Sequence, residues 1–136
     1  MQIEEKQFQE FRPVSNGRKQ VFIVDDDKSV CRALKTLMLA YGFIVRTYCS
    51  AEEFFSAIPN DFPGCLILDI QMPGLNGWEA HQRLLKSGST RPVILLTADK
   101  SDGLEEKSKE TGATGFFQKP VNDHELVALV NQMSIN

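Results

Sequence analysis

The stretch CLILDIQMPGLNGW, residues 65–78, joins an apolar run directly to a carboxylate. Its first four residues are continuously apolar, a pattern typical of parallel strands that are covered on both faces. Asp69 follows this run, and Met72-Pro73-Gly74 has the composition of a turn. The stretch therefore predicts a central parallel strand that presents an acidic side chain where it ends.

Short apolar runs of this kind alternate with longer amphipathic segments along the chain. The predicted strands are residues 21–24, 43–48, 65–68, 92–97 and 115–118. Helices are predicted at residues 27–42, 50–58, 77–88, 101–112 and 122–133. Strict alternation favours an α/β fold with a parallel sheet. The run at 43–48 is the least apolar and is expected at an edge. Leu104 is the one sizeable apolar anchor of the fourth helix, which is expected to be short or mobile.

Polar residues mark several helix ends. Ser50 with Glu53, and Asn122 with Glu125, each predict a capping box, in which side chains and backbone N–H groups bond reciprocally. Gly42 follows the first predicted helix and is a plausible C-cap. These signals support the boundaries given above.

Length and charge restrict the class of protein. A chain of 136 residues is near the usual size of one domain, which we place at residues 19–136 after a polar N-terminal extension, residues 1–18. The net charge of -3 and pI near 5.4 supply no basic field, so direct nucleic-acid binding is not expected. The sequence shows neither a signal peptide nor a membrane-length apolar run, so we expect a cytoplasmic protein without a membrane contact.

The cysteines and histidines give no metal or disulfide pattern. Cys31, Cys49 and Cys65 are widely spaced, which argues against a disulfide framework or a zinc site and favours small buried hydrophobic residues. His81 and His124 lack partners at zinc-site spacing and are predicted at the surface or at helix caps.

Five chemically active residues fall at the ends of predicted strands. They are Asp25, Asp26, Asp69, Thr97 and Lys119. In a parallel sheet these positions meet at the carboxyl edge, where ligands bind in open α/β folds. The strands that carry them are neighbours in the doubly wound order 2-1-3-4-5, which right-handed crossovers and a polar second strand favour. The predicted fold class is a doubly wound, five-stranded parallel sheet in this order, with five helices.

Three carboxylates at one edge require a positive partner. At about 4 Å and an effective dielectric of about 20, each pair repels by about 4 kcal/mol. Oxygen ligands suit a hard divalent cation such as Mg²⁺, and Lys119 supplies a second positive charge. A site of this composition is suited to holding a phosphoryl group on Asp69, which would act as the nucleophile.

Four segments together resemble the receiver domain of two-component response regulators. They are VDDD at 24–27, LDIQMPGLNG at 68–77, LLTA at 95–98 and GFFQKP at 115–120, and the resemblance covers residues 19–133. Longer runs, including VDDDKSVCRAL and PGCLILDIQMPG, resemble the subgroup that usually carries a carboxyl-terminal helix-turn-helix output domain. The resemblance implies a flavodoxin-like fold.

The resemblance also implies roles for individual residues. Asp69 is the implied phosphoacceptor, with Lys119 and Thr97 acting on the phosphoryl group and Phe116 following Thr97 as part of the switch. The implied Mg²⁺ ligands are Asp25, Asp26, Asp69 and the backbone carbonyl of Gln71. Asp27 is expected to cap a helix, and a cis peptide bond is implied before Pro120.

The implied function is signalling rather than enzyme turnover. A sensor histidine kinase or a histidine phosphotransfer protein would phosphorylate Asp69, and the domain would promote its own phosphorylation and dephosphorylation. The sequence leaves open whether the domain forms a homodimer on phosphorylation. One alternative is a haloacid-dehalogenase-type phosphatase that uses Asp25, since DDDKS at 25–29 resembles the nucleophile motif of that class. A flavin or dinucleotide binder is disfavoured because no glycine-rich phosphate loop follows the first strand.

Overall fold

The computed structural model describes residues 18–133, in which strands and helices alternate as predicted. The strands are β1 Gln20–Val24, β2 Ile44–Tyr48, β3 Cys65–Asp69, β4 Val93–Thr97 and β5 Gly115–Gln118. The helices are α1 Lys28–Ala40, α2 Ala51–Ala57, α3 Gly77–Lys86, α4 Leu104–Glu110 and α5 Asp123–Gln132. Most of the extension predicted at residues 1–18 lies outside the described residues. Of the helices in residues 18–133, none combines the length and the apolar character that crossing a membrane requires.

All five strands are parallel and lie in the order β2-β1-β3-β4-β5, which confirms the predicted topology. The chain reverses its direction of winding between β1 and β3, the two central neighbours. Parallel pairing brings the carboxyl ends of β1, β3, β4 and β5 to one edge of the sheet. This edge is the one at which the predicted site residues were expected to meet.

The sheet separates two hydrophobic layers because side chains alternate between its faces. Val21 and Ile23 pack in the layer that contains α1 and α5, whereas Phe22 and Val24 pack in the layer that contains α2 and α3. Every residue of β1, β3 and β4 is buried. The residues of β2 are only half-buried, which confirms the edge position predicted from its composition.

The ends of α1 follow the predicted signals. Asp27 caps the amino end, and its carboxylate accepts a hydrogen bond from the Ser29 N–H group at 2.9 Å. At the other end the Gly42 N–H group donates to Leu39, and the Phe43 N–H group donates to Met38. This pair of bonds closes a Schellman motif, which requires the positive φ of +88° that Gly42 adopts.

The capping boxes predicted for α2 and α5 are wrong in their second half. The Ser50 and Asn122 side chains accept from the Glu53 and Glu125 N–H groups, so both N-caps are confirmed. The Glu53 carboxylate, however, accepts from the Cys49 N–H group at 2.8 Å, one residue before the cap. Within residues 18–133, no return bond from the Glu125 side chain is seen. A long glutamate side chain can reach more than one backbone donor, and the sequence spacing does not choose between them.

Helix α4 has few anchoring features. It spans seven residues, its N-cap residue Gly103 has no side chain that could cap the helix, and Ser108 is its one buried residue. The short length predicted from its few apolar residues is confirmed.

Two predictions about single side chains are wrong. Cys31 and Cys65 are buried as predicted, but Cys49 is exposed because it follows the half-buried edge strand β2. His124 is exposed, whereas His81 is only 2% exposed because it lies on the inward face of α3.

Candidate functional site

Three carboxylates meet at the carboxyl edge of the sheet. Asp25 and Asp26 follow β1, and Asp69 is the last residue of β3, the strand next to it. One oxygen from each of the three carboxylates lies within 4.8 Å of the others. Asp25 and Asp69 are 1% and 3% exposed, whereas Asp26 faces solvent. The predicted convergence of the three acids is therefore confirmed.

Lys119 bridges the two buried acids. Its ammonium nitrogen lies 2.8 Å from Asp25 Oδ2 and 3.6 Å from Asp69 Oδ2. The Lys119 backbone N–H group donates to the Thr97 carbonyl at 2.8 Å, and a cis peptide bond joins Lys119 to Pro120. Burial lowers the pKa of Lys119, but its hydrogen bond and charge interactions with the two acids outweigh burial and raise it. The ammonium group is therefore held in its charged form between two acids.

Backbone groups fix the other oxygen of each buried acid. The Asp27 N–H group donates to Asp25 Oδ1 at 2.9 Å, and the Gln71 N–H group donates to Asp69 Oδ1 at 3.2 Å. The Oδ2 atoms of both acids consequently face Lys119. Cys31 adds a contact that the sequence did not indicate, since its thiol donates to the Asp25 carbonyl at 3.2 Å. These bonds hold the two carboxylates in fixed orientations before any ligand binds.

The surroundings of Asp69 disfavour the ionised form of its carboxyl group. Burial, followed by the charge of Asp25, raises the pKa of Asp69 to about 6, although Lys119 and the Gln71 N–H group lower it. One lysine therefore does not compensate three acids. The donor set, three carboxylates at one edge of the sheet, is of the kind that Mg²⁺ binds in proteins.

Thr97 and Phe116 lie on the same face of the sheet. Thr97 ends β4 and is fully buried, and its hydroxyl oxygen accepts from the Asp99 N–H group at 2.9 Å. Phe116 pairs with Leu95, two residues before Thr97 on the same strand, so the two side chains are diagonal neighbours. The aromatic ring packs partly buried against the layer that contains α2 and α3. The structure thus brings Thr97 next to both Lys119 and Phe116, whereas the Gln71 carbonyl as a metal ligand stays a prediction.

The start of α3 supports the end of β3. Asn76 and Glu79 form a complete capping box, which the sequence analysis did not identify. The Gly77 N–H group donates to the Ile70 carbonyl at 2.9 Å, and a Cβ atom at Gly77 would lie only 2.5 Å from the Asp69 carbonyl oxygen. The Asn-Gly pair after the Met-Pro-Gly turn was the available signal, because glycine permits such close backbone approach.

Comparisons with known proteins identify one family. The model of the response regulator receiver domain family matches residues 21–131. Response regulator protein TodT of Pseudomonas putida is 31% identical over 88% of this chain and 52% of its own length. Transcriptional regulatory protein FixJ of Bradyrhizobium diazoefficiens is 31% identical over 81% of this chain and 54% of its own length. The chain thus spans about half the length of these curated relatives.

A solved structure gives the same result for the fold. The response regulator receiver protein from Burkholderia phymatum superposes with a TM-score of 0.71 at 39% identity, covering 86% of this chain and 98% of that chain. The family model, the relatives and the solved structure all indicate the same family. This chain belongs to the family of response regulator receiver domains.

Proposed function

We propose that Asp69 is the residue on which this receiver domain accepts its phosphoryl group. The observation that carries the proposal is the contact of one lysine, Lys119, with both Asp25 and Asp69 at the edge where three acids meet. Asp69 is the acid at the end of the central strand, and its carboxylate is fixed by a single backbone bond from Gln71. Asp25 is instead bonded through both of its oxygens.

In the proposed transfer, a carboxylate oxygen of Asp69 attacks the phosphorus atom of a phosphohistidine. The partner is a sensor histidine kinase or a histidine phosphotransfer protein. An oxygen–phosphorus bond forms and the phosphorus–nitrogen bond breaks, leaving its electron pair on the imidazole nitrogen, which takes up a proton. Lys119 donates from its ammonium group to a phosphoryl oxygen as negative charge accumulates there.

The acidic cluster is the proposed Mg²⁺ site. The ion would be held by Asp25, Asp26, Asp69 and the Gln71 carbonyl. When bound, it would neutralise charge on phosphoryl oxygens and favour the ionised form of the Asp69 carboxyl group. The chain's own contribution is orientation, because backbone bonds fix Asp25 and Asp69 before the reaction. A fixed nucleophile lowers the entropic part of the barrier.

Thr97 and Phe116 are the proposed switch residues. The Thr97 oxygen accepts a bond from the Asp99 N–H group, so its own hydroxyl proton can be donated to a phosphoryl oxygen on Asp69. Movement of Thr97 would open space for its diagonal neighbour Phe116. Such a switch works only to the extent that the phosphoryl group interacts differently with the two conformations. Homodimer formation on phosphorylation belongs to the same proposal and is checked by sedimentation of the phosphorylated chain.

The phosphatase alternative, with Asp25 as nucleophile, gains no support. Asp25 is 1% exposed and each of its oxygens is already bonded, one to a backbone N–H group and one to Lys119. That reading also gives Asp69 and Lys119 no role. No specific observation favours a second function.

The test is incubation with Mg²⁺ and a small acyl phosphate, followed by intact mass measurement. We expect one phosphoryl addition that hydroxylamine removes, as for an acyl phosphate, and no addition to Asp69→Asn. Asp61→Asn, which changes an exposed aspartate outside the cluster, is the matched control and should be labelled normally. Labelling that survives Asp69→Asn but not Asp25→Asn would contradict the proposal.

A further inference from the structure

We propose that the groove between α3 and α4 is a docking site for an acidic protein segment that carries an apolar side chain. The groove has a volume of about 480 Å³ and is separate from the acidic edge. Trp78 contributes aromatic surface, and three of the lining residues are cations: Arg83 and Lys86 on α3, and Lys107 on α4. Glu79 is the one acid among the lining residues.

Two of the groove cations are positioned by aromatic rings. The Arg83 guanidinium carbon lies 4.3 Å from the centre of the Phe55 ring, and the Lys107 ammonium nitrogen lies 4.4 Å from the centre of the Trp78 ring. Contacts of this kind place one side of the charged group against a ring, and both residues are nevertheless exposed to solvent. The cations are therefore partly ordered before a ligand arrives, which lowers the entropic cost of binding.

The lining of the groove carries an excess of positive charge, because it contains three cations and one acid. The ion pairs among residues 18–133 join Lys109 to Glu105 and Lys119 to the two buried acids, and none involves Arg83, Lys86 or Lys107. The Glu79 carboxylate accepts from the Asn76 N–H group in the capping box of α3. The chain as a whole has a net charge of -3, so the positive groove is a local feature of its surface. Such a groove favours a partner segment with negative charge.

The small charge of the groove favours a peptide over a nucleic acid. Three lining cations provide few contacts for a phosphate backbone, whose binding depends mainly on the number of phosphates neutralised. In the proposed segment, acidic residues stand on both sides of an apolar residue. Their carboxylates would contact the cations of α3 and α4 while the apolar side chain lies against Trp78.

The tryptophan provides the measurement, because Trp78 is the sole tryptophan of the chain. The probe is an acetylated hexapeptide with Leu-Phe at its centre and two glutamates on each side. We expect a saturable change of Trp78 fluorescence in the full-length chain, confirmed by calorimetry, that weakens as salt is added. The same peptide with glutamines in place of the glutamates should bind several times more weakly.

Charge variants locate the binding surface. Lys86→Gln and Lys107→Gln should each weaken binding by about twofold to fivefold, the range expected for exposed ion pairs. Lys109→Gln, on the outer side of α4 and paired with Glu105, should leave binding unchanged. The experiment uses neither Mg²⁺ nor a phosphoryl donor, so its outcome is independent of the role of Asp69.

Several results would overturn the proposal. The glutamate peptide could show no saturable binding, or the glutamine peptide could bind equally well. Lys86→Gln and Lys107→Gln could both bind the glutamate peptide as the wild-type chain does. An oligothymidine or anionic vesicles could bind more tightly than the peptide at the same charge concentration. Self-association of the chain that is lost in Lys86→Gln would assign the groove to a second copy and would equally overturn it.

Discussion

Asp69 is where reactivity and stability oppose each other at the scale of a single residue. Burial and the neighbouring Asp25 raise the pKa of Asp69 from an ordinary value of 3.8 to about 6. Between about pH 4 and pH 6 the folded state therefore binds more protons than the unfolded state. The contribution of Asp69 to the free energy of unfolding falls as pH rises through this window, and the loss is complete above the folded-state pKa.

We expect Asp69→Asn to stabilise the protein without Mg²⁺ at pH 7.5. The substitution removes a buried charge while keeping an oxygen that can accept from the Gln71 N–H group. The expected gain in free energy of unfolding is about 2 kcal/mol. It follows from the raised pKa of Asp69 and is discounted because Asp69 interacts strongly with Asp25 and Lys119. Urea unfolding in EDTA at pH 7.5 measures it.

Urea unfolding at pH 4 separates the effect of the buried charge from an effect of altered packing. There Asp69 is mostly protonated in the folded state and resembles asparagine, so the difference between the two proteins should nearly vanish. Asp61→Asn, at an exposed position, should change stability little at either pH. A gain of equal size at both pH values would show that packing, not charge, is responsible.

At the scale of an element, the closest constraint on the site is the contact between α3 and β3. Gly77 begins α3 directly against the backbone of Asp69 and Ile70. A Cβ atom at this position would lie 2.5 Å from the Asp69 carbonyl oxygen and 2.6 Å from the Ile70 Cα atom. Backbone cannot rotate away as a side chain can, so a larger residue must displace the helix or the end of the strand.

We expect Gly77→Ala to lower the free energy of unfolding by about 2 kcal/mol, as overpacking against fixed atoms does. The rate of phosphorylation by a small acyl phosphate should fall as well, because the displaced segment carries the nucleophile. Gly115→Ala is the matched control, since a Cβ atom there would meet the Leu129 side-chain methyl at 2.4 Å, which can move. A phosphorylation rate unchanged in Gly77→Ala would contradict the positioning role.

The helix ends show which local details the sequence determines. Asp27 and Gly42 were predicted correctly because a single side chain, or the lack of one, decides each cap. The capping boxes were not, because a glutamate can reach either of two backbone donors, as Glu53 does when it bonds to Cys49. His81 was missed for a related reason, since the inward face of α3 is set by its packing on the sheet rather than by its own composition.

At the scale of the whole molecule, the convergence of the site residues was predictable because the carboxyl ends of parallel strands meet at one edge, whereas the predicted strand order rested partly on the receiver-domain resemblance. Asp25, Asp69 and Lys119 are far apart in sequence, yet each follows or ends a strand of the same sheet. The orientation of each side chain was not predictable, because the backbone donors at Asp27 and Gln71 decide it. The hydrogen bond from the Cys31 thiol to the Asp25 carbonyl was likewise not predictable from the sequence.

Because the acids come from two separate strands, the cluster is assembled only when the whole domain folds. A cation that binds this cluster therefore stabilises the folded state, by about 3 kcal/mol at a concentration about one hundred times its Kd. We expect Mg²⁺ to raise the Tm of the wild-type chain relative to NaCl of equal ionic strength. Asp26→Asn should reduce this rise while leaving the Tm in EDTA nearly unchanged, because Asp26 is exposed and its loss disturbs little packing.

Asp69→Asn should behave differently from Asp26→Asn in the same thermal unfolding experiment. It should raise the Tm in EDTA, since it removes buried repulsion, and at the same time reduce the rise caused by Mg²⁺, since it removes a ligand charge. Asp102→Asn, which changes an exposed acid outside the cluster, should match wild type in both conditions. The opposite signs expected for Asp69 distinguish a metal site from general charge screening, which would act on all three variants alike. An Mg²⁺ effect that persists undiminished in both Asp26→Asn and Asp69→Asn would place the ion elsewhere.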